Sequence, residues 1–212
     1  MYKIKREEFT ELVYQQIKKL ILKNELKTGE KLNQQKLAER LGVSRTPIQA
    51  AFSKLEKEWL IKLVPRRGAY VKKLSKEEFF NIYDIRLRLE PLGAHQAAVF
   101  AGKKEIQILS NIITQLEKYR KDNNGSEYKE TDYYFHMQIM KMSQNNMLHQ
   151  IVASSNLLLI SNLEGIFLDF EQSLNDHINI LDSIKNRNSK LAEKLMFEHI
   201  HKAKENIMKK IG

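Results

Sequence analysis

The stretch 35–52 constrains the fold of this chain more than any other part of the sequence. Residues 35–41 carry apolar side chains on one side only, as a short amphipathic helix does. Gly42 suits the tight turn that follows, because glycine adopts a positive φ at little cost. Ser44 is placed to cap the next helix through its hydroxyl, and Pro47 falls in the first turn, where the N–H that proline lacks would have no partner. The pattern predicts two short helices joined by a tight turn.

The second of these helices has an apolar face and a polar face. Its apolar positions recur at helical spacing and are expected to face a core: Ile48, Ala51, Phe52 and Leu55. Arg45, Thr46 and Gln49 then point the other way, from the N-terminal turn. Short polar and cationic groups in that position are what reading base edges in the major groove of DNA requires, so the pattern is that of a helix-turn-helix.

Two short β-prone runs follow, 59–64 and 69–72, with proline and glycine bracketing the tight connection between them. This pattern predicts a hairpin. Arg66 and Arg67 at its tip would let the hairpin meet phosphates or enter the minor groove. A small helical domain with a solvated basic loop is the alternative. The order helix, turn, helix and basic hairpin favours a winged helix-turn-helix instead.

The formal net charge of +10 is concentrated in the same region. Residues 1–74 carry 18 Lys and Arg against 8 Asp and Glu, whereas residues 75–212 carry 18 of each. An excess confined to one segment is typical of a polyanion-binding domain joined to a neutral partner. We therefore predict a DNA-binding domain at 1–74 and a second domain at 75–212, each long enough to bury its own core.

Several classes of protein are disfavoured by what the sequence lacks. There is no cysteine, so there is neither a disulfide framework nor a thiolate metal site. The N-terminal residues have no apolar core of a signal peptide, and no segment approaches the roughly 18 uninterrupted apolar residues of a membrane span. We expect a soluble, cytoplasmic protein without a membrane partner.

The second domain has a helical pattern throughout. Ser75 followed by Glu78 matches a capping box and opens its first helix. Helices are predicted at 76–101, 103–121, 126–143, 145–168, 171–186 and 189–210. The predicted fold class is therefore mostly α: a winged helix-turn-helix with a small β-hairpin, followed by an all-α bundle whose core can host a ligand.

Four residues of the second domain have the chemistry and spacing of a metal site. Asp132 and His136 are four apart and project from one helical face, and His177 and His199 each adjoin an apolar stripe of another predicted helix. If they converge, a carboxylate and three imidazoles suit Zn²⁺, Ni²⁺, Mn²⁺ or Fe²⁺. A histidine on an apolar face is more often a satisfied core residue, so spacing leaves the metal open. The other histidines are assigned no ligand role: His95, His149 and His201.

Both halves of the chain resemble one family of regulators, over roughly residues 8–210. The first half is similar to the winged helix-turn-helix of GntR-type transcription regulators at Leu32, Leu37-Ala38, 41–47, Leu55 and Pro65-x-x-Gly68-x-x-Val71. The second half resembles the helical ligand-binding domain (FCD) of the FadR subfamily at Arg86-x-x-Leu89-Glu90, Asp132-x-x-Phe135-His136, His177 and His199.

The resemblance implies roles for particular residues. In that family an Asp and three His bind a divalent metal at the centre of the helical domain, and a small organic acid completes its coordination. Carried over to this chain, the metal ligands are Asp132, His136, His177 and His199. Zinc is the first candidate, with nickel, manganese or iron as alternatives. Arg86 would hold the carboxylate of the effector, although an Arg four residues before Glu90 equally suits a helix ion pair.

The DNA-contacting positions depart from the family pattern. Gln49 stands where Arg is common, and Gln35 stands where some members have a base-contacting Arg. Ala50 replaces a usual Glu, and Trp59 replaces a frequent Gly. Because Arg grips guanine whereas Gln prefers adenine, a discrimination of about 1–3 kcal/mol per contact, we expect an operator that depends less on guanine at the Gln49 position.

The sequence thus predicts a metabolite-responsive transcription regulator, a repressor rather than an activator, and not an enzyme. It would bind a pseudo-palindromic double-stranded operator as a homodimer, as the resemblance and operator geometry imply. The expected DNA contacts are Gln35, Ser44, Arg45, Thr46, Gln49, Arg66, Arg67 and Gly68. Two alternatives stay open: the same regulator with a metal-free acid-binding pocket, and a metalloenzyme whose first domain targets it to DNA.

Overall fold

The computed structural model describes residues 6–155 and 170–211. The chain divides into two compact units, Met1–Lys73 and Leu74–Gly212. The described residues are mostly helical, with a small three-stranded sheet in the N-terminal unit. The predicted fold class is confirmed.

The N-terminal unit is a winged helix-turn-helix. Its elements are α1 (Arg6–Leu22), β1 (Lys31–Leu32), α2 (Gln34–Leu41), α3 (Arg45–Lys57), β2 (Ile61–Val64) and β3 (Gly68–Val71). The strands are antiparallel in the order β1-β3-β2. Strand β1 was not predicted, because two residues are too few to show alternation. It exists through its pairing, in which Lys31 lies opposite Tyr70 and Leu32 lies opposite Ala69.

The turn of the helix-turn-helix has the predicted backbone but not the predicted cap. Gly42 ends α2 with a φ of 65°. Ser44 occupies the N-cap position of α3, yet its side chain makes no capping hydrogen bond, so that prediction is wrong. A capping hydroxyl accepts from the second or third residue of the helix, and Pro47 at the third position removes one of these two donors, leaving only the N–H of Thr46. Helix α2 is capped instead by Asn33, which accepts from the N–H groups of Gln35 and Lys36.

Trp59 lies just after the C-cap of α3, in the motif that ends this helix, rather than in the first strand of the wing. Its φ is 62°, its N–H donates to the carbonyl of Glu56 and the N–H of Leu60 donates to the carbonyl of Leu55, both at 3.0 Å. This is the Schellman motif, which favours glycine at the left-handed position. The predicted strand 59–64 therefore starts two residues later, at Ile61.

The predicted hairpin is confirmed. The Arg67 N–H donates to the carbonyl of Val64 at 3.0 Å, and Arg66 has a φ of 62°. Proline at the second position of the turn and a positive φ at the third are the marks of a type II turn. Arg66, Arg67 and Gly68 are exposed at its tip.

The C-terminal unit is helical over its described residues. Its helices are α4 (Lys76–Phe100), α5 (Lys103–Lys121), α6 (Gly125–Met142), α7 (Asn146–Ser155), α8 (Phe170–Lys185) and α9 (Ser189–Ile211). These bounds agree with the predicted ones to within two residues, except that most of the predicted helix 145–168 lies outside the described residues. The predicted capping box is confirmed: Ser75 Oγ accepts from the Glu78 N–H, and Glu78 Oε2 accepts from the Ser75 N–H.

Helix α4 packs against α6, α7, α8 and α9 within this unit. Gly93 permits its close approach to α6, because a Cβ at that position would lie 2.1 Å from Met140 Cε. Met140 is one helical turn beyond His136, so this contact brings α4 close to the predicted metal ligand. Among the described residues, no helix has the length and apolar character needed to span a membrane.

Candidate metal centre and DNA-contacting surface

Three histidines from three different helices meet in the core of the C-terminal unit. His136 on α6, His177 on α8 and His199 on α9 are buried, and each offers a ring nitrogen within 4.8 Å of the others. The Nε2 atoms of His177 and His199 are 3.2 Å apart. Asp132 adds a carboxylate, with Oδ1 lying 3.6 Å from His177 Nε2 and Oδ2 lying 4.0 Å from His136 Nε2. The four predicted ligands therefore lie together.

Two further carboxylates contact the far side of these rings. Glu90 Oε2 lies 2.6 Å from His136 Nδ1, although not in the alignment of a regular hydrogen bond. Asp176 Oδ2 lies 3.3 Å from His199 Nδ1, and its Oδ1 accepts from Lys202 Nζ at 2.9 Å. Because a carboxylate can only accept, it favours a proton on the adjacent Nδ1 and leaves the Nε2 lone pair directed to the cluster.

Glu90 and Asp176 were not among the site residues predicted from the sequence. Glu90 appeared only as a partner for Arg86, and Asp176 precedes His177 but contacts His199 on another helix. Spacing within one helix cannot reveal a partner on a neighbouring helix. The adjacent Asp176-His177 pair was the available signal, and it did not distinguish a ring-orienting carboxylate from a surface one.

Two imidazoles of the cluster, those of His177 and His199, are shifted towards the neutral form. Burial, followed by the nearby His199 and His136, lowers the pKa of His177 well below its usual value. Burial also lowers the pKa of His199, although the hydrogen bond that its ring donates to Asp176 opposes this shift. The His177 ring stacks on Phe135 at 4.1 Å between centroids, and its Nδ1 has no hydrogen-bond partner among the described residues. Neutral imidazole is the form that ligates metals.

The donor set fits a divalent cation. The Nε2 lone pairs favoured at His136 and His199 and the carboxylate of Asp132 are all acceptors, and His177 Nε2 can supply at most one proton. Acceptors buried face to face without a donor are unfavourable, whereas a cation satisfies all of them together. The three buried histidines can therefore form a metal site, and its N/O chemistry suits borderline and hard divalent metals.

Arg86 lies behind this cluster, in a buried ion pair. Its Nε donates to Glu90 Oε1 at 2.5 Å, so the helix ion pair considered as an alternative does form. Burial acts to raise the pKa of Glu90, but the charge of Arg86 and the contact with His136 outweigh it and hold that pKa at about 2. Glu90 thus links the guanidinium to the imidazole, with one oxygen on each.

The other histidines lie outside the cluster. His95 Nδ1 lies 2.8 Å from Glu193 Oε2, and His201 Nδ1 lies 3.8 Å from Glu205 Oε1. His149 is half-buried on α7. None of these three histidines belongs to the cluster.

The residues predicted to contact DNA lie on the surface of the N-terminal unit. Arg45, Thr46 and Gln49 are exposed in the first turns of α3, while the predicted core face of that helix is buried. Gln35 is exposed on α2, and its Oε1 accepts from Arg45 Nε at 2.6 Å. Ser44 is also exposed. Within this unit, the structure therefore brings Gln35 and Arg45 into direct contact.

Known proteins match both the N-terminal and the C-terminal unit of the chain. Residues 9–71 match the family described as bacterial regulatory proteins, gntR family, and residues 81–202 match the FCD domain. The chain is 31% identical over 195 residues to the HTH-type transcriptional regulator YdhC of Bacillus subtilis, covering 89% of this chain and 86% of that protein. It is 27% identical over 199 residues to the gluconate operon transcriptional repressor of Bacillus licheniformis, covering 90% and 80%.

Solved structures show the same fold. E. coli McbR/YncC superimposes with a TM-score of 0.85 at 17% identity, covering all of both chains. A GntR regulator from Rhodococcus sp. RHA1 gives a TM-score of 0.82 at 17% identity, covering 94% of this chain and 97% of that one. With both domain families matched in order, the chain belongs to the GntR family of DNA-binding transcription regulators, in the group whose winged helix-turn-helix is followed by an FCD domain.

Proposed function

We propose that this regulator is a metabolite-responsive repressor whose helical domain, 75–212, binds a divalent metal and a small organic acid. The observation that supports this most strongly is the convergence of three buried imidazoles and the Asp132 carboxylate, which do not have enough donors among the described residues to satisfy them all. Zinc suits this set best, with nickel, manganese or iron as alternatives.

In this proposal each group of the site has a separate task. Asp132, His136, His177 and His199 hold the metal, while Glu90 and Asp176 orient two of the rings. The metal, when bound, supplies a Lewis acid that attracts a carboxylate. Arg86 adds a buried positive charge next to the cluster and is the proposed partner for the carboxylate of the effector.

Catalysis is not proposed for this site. The two carboxylates nearest to the imidazoles already have partners, since Glu90 is paired with Arg86 and Asp176 is paired with Lys202. A general base must be within hydrogen-bond reach of the proton that it abstracts. A carboxylate held on a ring nitrogen and a cation is instead placed to orient the ring.

We propose that the winged domain, 1–74, acts as one half of a homodimer on a pseudo-palindromic operator, because two recognition helices match two half-sites. Arg45, Thr46 and Gln49 read bases from the N-terminal turns of α3. The backbone contacts come from Ser44 and from the exposed wing tip: Arg66, Arg67 and Gly68.

Saturating effector is expected to change operator affinity by about 5- to 150-fold, the usual size of coupling between two sites. Dicarboxylates, hydroxy acids, sugar acids and longer acyl acids would first be screened by thermal shift on metal-loaded protein, since a ligand of the folded state raises the melting temperature. Affinity for a duplex selected from a randomised library would then be measured with and without the best acid. Unchanged affinity with the acid demonstrably bound would contradict the regulatory coupling.

Selected operators are expected to show little guanine preference at the base pair facing Gln49. The Gln49→Arg variant should create a guanine preference there, of about 5- to 150-fold, because Arg makes a bidentate contact with guanine O6 and N7. Competition binding with each of the four base pairs at that position measures the change. A strong guanine requirement in the natural protein that persists in Gln49→Ala would refute the assignment.

A further inference from the structure

Gln35 uses both ends of its side-chain amide within the N-terminal unit. Its Nε2 donates to Glu39 Oε1 at 2.5 Å, and its Oε1 accepts from Arg45 Nε at 2.6 Å. Glu39 is one turn further along α2, and Arg45 is the first residue of α3. The three side chains therefore form a continuous relay from one helix of the helix-turn-helix to the other.

The chemistry of the two neighbours determines which way the amide faces. A carboxylate only accepts hydrogen bonds and a guanidinium only donates them. A reversed amide would place donor against donor at Arg45 and acceptor against acceptor at Glu39. Helix α2, which carries Gln35 and Glu39, is itself held in place, because Asn33 caps it and its Leu37 is buried.

The hydrogen bond from Gln35 occupies the Nε edge of the Arg45 guanidinium and so fixes the orientation of that group. With Nε bonded to Gln35, the terminal nitrogens are the ones to be presented to guanine O6 and N7, the bidentate contact that Arg makes in the major groove. An exposed Arg side chain otherwise loses much rotamer freedom when it binds, and ordering it beforehand reduces that loss.

We propose that Gln35 and Glu39 are positioning residues that orient Arg45 for base recognition, and that Gln35 does not itself contact a base. This inference rests on the proposed role of Arg45 as a base reader. Gln49 is not held in the same way, because its side-chain contact with Gln34 is long, at 3.5 Å. The relay also accounts for a carboxylate beside a polyanion-binding surface, where its charge alone would weaken attraction to DNA.

A double-mutant cycle in the full-length protein tests the relay. The probe is the duplex that the natural protein selects from a randomised library, together with versions altered at each base pair. Gln35→Leu is expected to lower discrimination at the base pair read by Arg45 by about fivefold or more, part of the 5- to 150-fold that a bidentate contact provides. In an Arg45→Ala background the same change should have no effect, because no guanidinium remains to be oriented.

Two further variants separate positioning from charge and from folding. Glu39→Gln retains an acceptor for Gln35 and should keep discrimination, whereas Glu39→Leu should behave like Gln35→Leu. Gln15→Leu is the matched control, because Gln15 makes the same exposed amide-to-carboxylate contact with Glu11 on α1 and is not part of the relay. Thermal unfolding and the salt dependence of binding should be unchanged in Gln35→Leu, since the side chain is exposed and uncharged.

The outcomes distinguish a relay that does not position Arg45 from an Arg45 that does not read a base. Loss of discrimination in Gln35→Leu that persists in the Arg45→Ala background, or that falls on a different base pair, would mean that Gln35 contacts a base directly. Unchanged discrimination in Gln35→Leu would also overturn the relay while leaving Arg45 as a reader. Unchanged discrimination in Arg45→Ala alone would instead overturn the proposed role of Arg45.

Discussion

Chelating the metal is expected to lower the free energy of unfolding of the metal-loaded protein by about 4 kcal/mol, the contribution of a ligand present at 1,000 times its Kd. The physical reason is that removing the cation leaves the lone pairs of three buried imidazoles and the Asp132 carboxylate facing one another. Urea or thermal unfolding before and after treatment with a chelator measures the loss. Returning zinc should restore the original stability.

The variant His177→Ala is expected to abolish this effect, because its ring belongs to the cluster and is fully buried. Metal content would be measured on untagged protein purified without added metal. His95→Ala is the matched control, since His95 is partly exposed and contacts Glu193 outside the cluster. The natural protein could instead prove to contain no metal and to keep the same stability with chelator or with added zinc. That result would favour the alternative of an acid-binding pocket without metal.

The variant Glu90→Ala is expected to destabilise the C-terminal unit by about 3–5 kcal/mol, the usual cost of removing one partner of a buried ion pair. It leaves the Arg86 charge buried without its carboxylate and removes the contact with His136 Nδ1. Urea unfolding of the full chain measures the change. Replacing both partners, as Arg86→Met with Glu90→Leu, should recover much of the stability, because no unpaired charge then remains.

The exposed pair of Lys194 and Glu198 provides the control, because it has the same spacing on a helix and the same order of charges. Glu198→Ala should cost no more than about 0.5 kcal/mol. The pKa of Glu90 is about 2 in the fold against an ordinary 4.5, so its contribution is present at neutral pH and is lost as the pH falls from about 5 towards 2. Equal losses in the free energy of unfolding for Glu90→Ala and Glu198→Ala would show that the buried pair is no more important for stability than an exposed one.

Local chemistry explains why so much of the fold was predictable. The helix-turn-helix, the hairpin and the capping box at Ser75 depend on residues within a few positions of one another. The two wrong predictions, the Ser44 cap and the start of the first wing strand, also have local causes. The hydroxyl of Ser44 has no N–H to accept from at Pro47, and β-prone Trp59 was assigned to a strand although the end of α3 requires its left-handed conformation.

The candidate metal site was predictable only in part. The spacing of Asp132 and His136 placed both on one face of a helix, and the apolar stripes of two other helices made His177 and His199 candidates. The family resemblance then assigned all four as ligands. The roles of Glu90 and Asp176 were missed, because each contacts a ring on another helix. The same is true of Gln35, whose contact with Arg45 joins two helices.

Periodicity, capping residues and charge distribution were sufficient to determine the helices, the winged architecture and the separation of a basic segment from a neutral one. They suffice because backbone hydrogen bonds and helical faces involve near neighbours in the chain. Packing alone brought His136, His177 and His199 within 4.8 Å of one another and set carboxylates behind two of them. Distances between helices depend on the fit of whole side-chain surfaces, for which no short stretch of sequence carries the information.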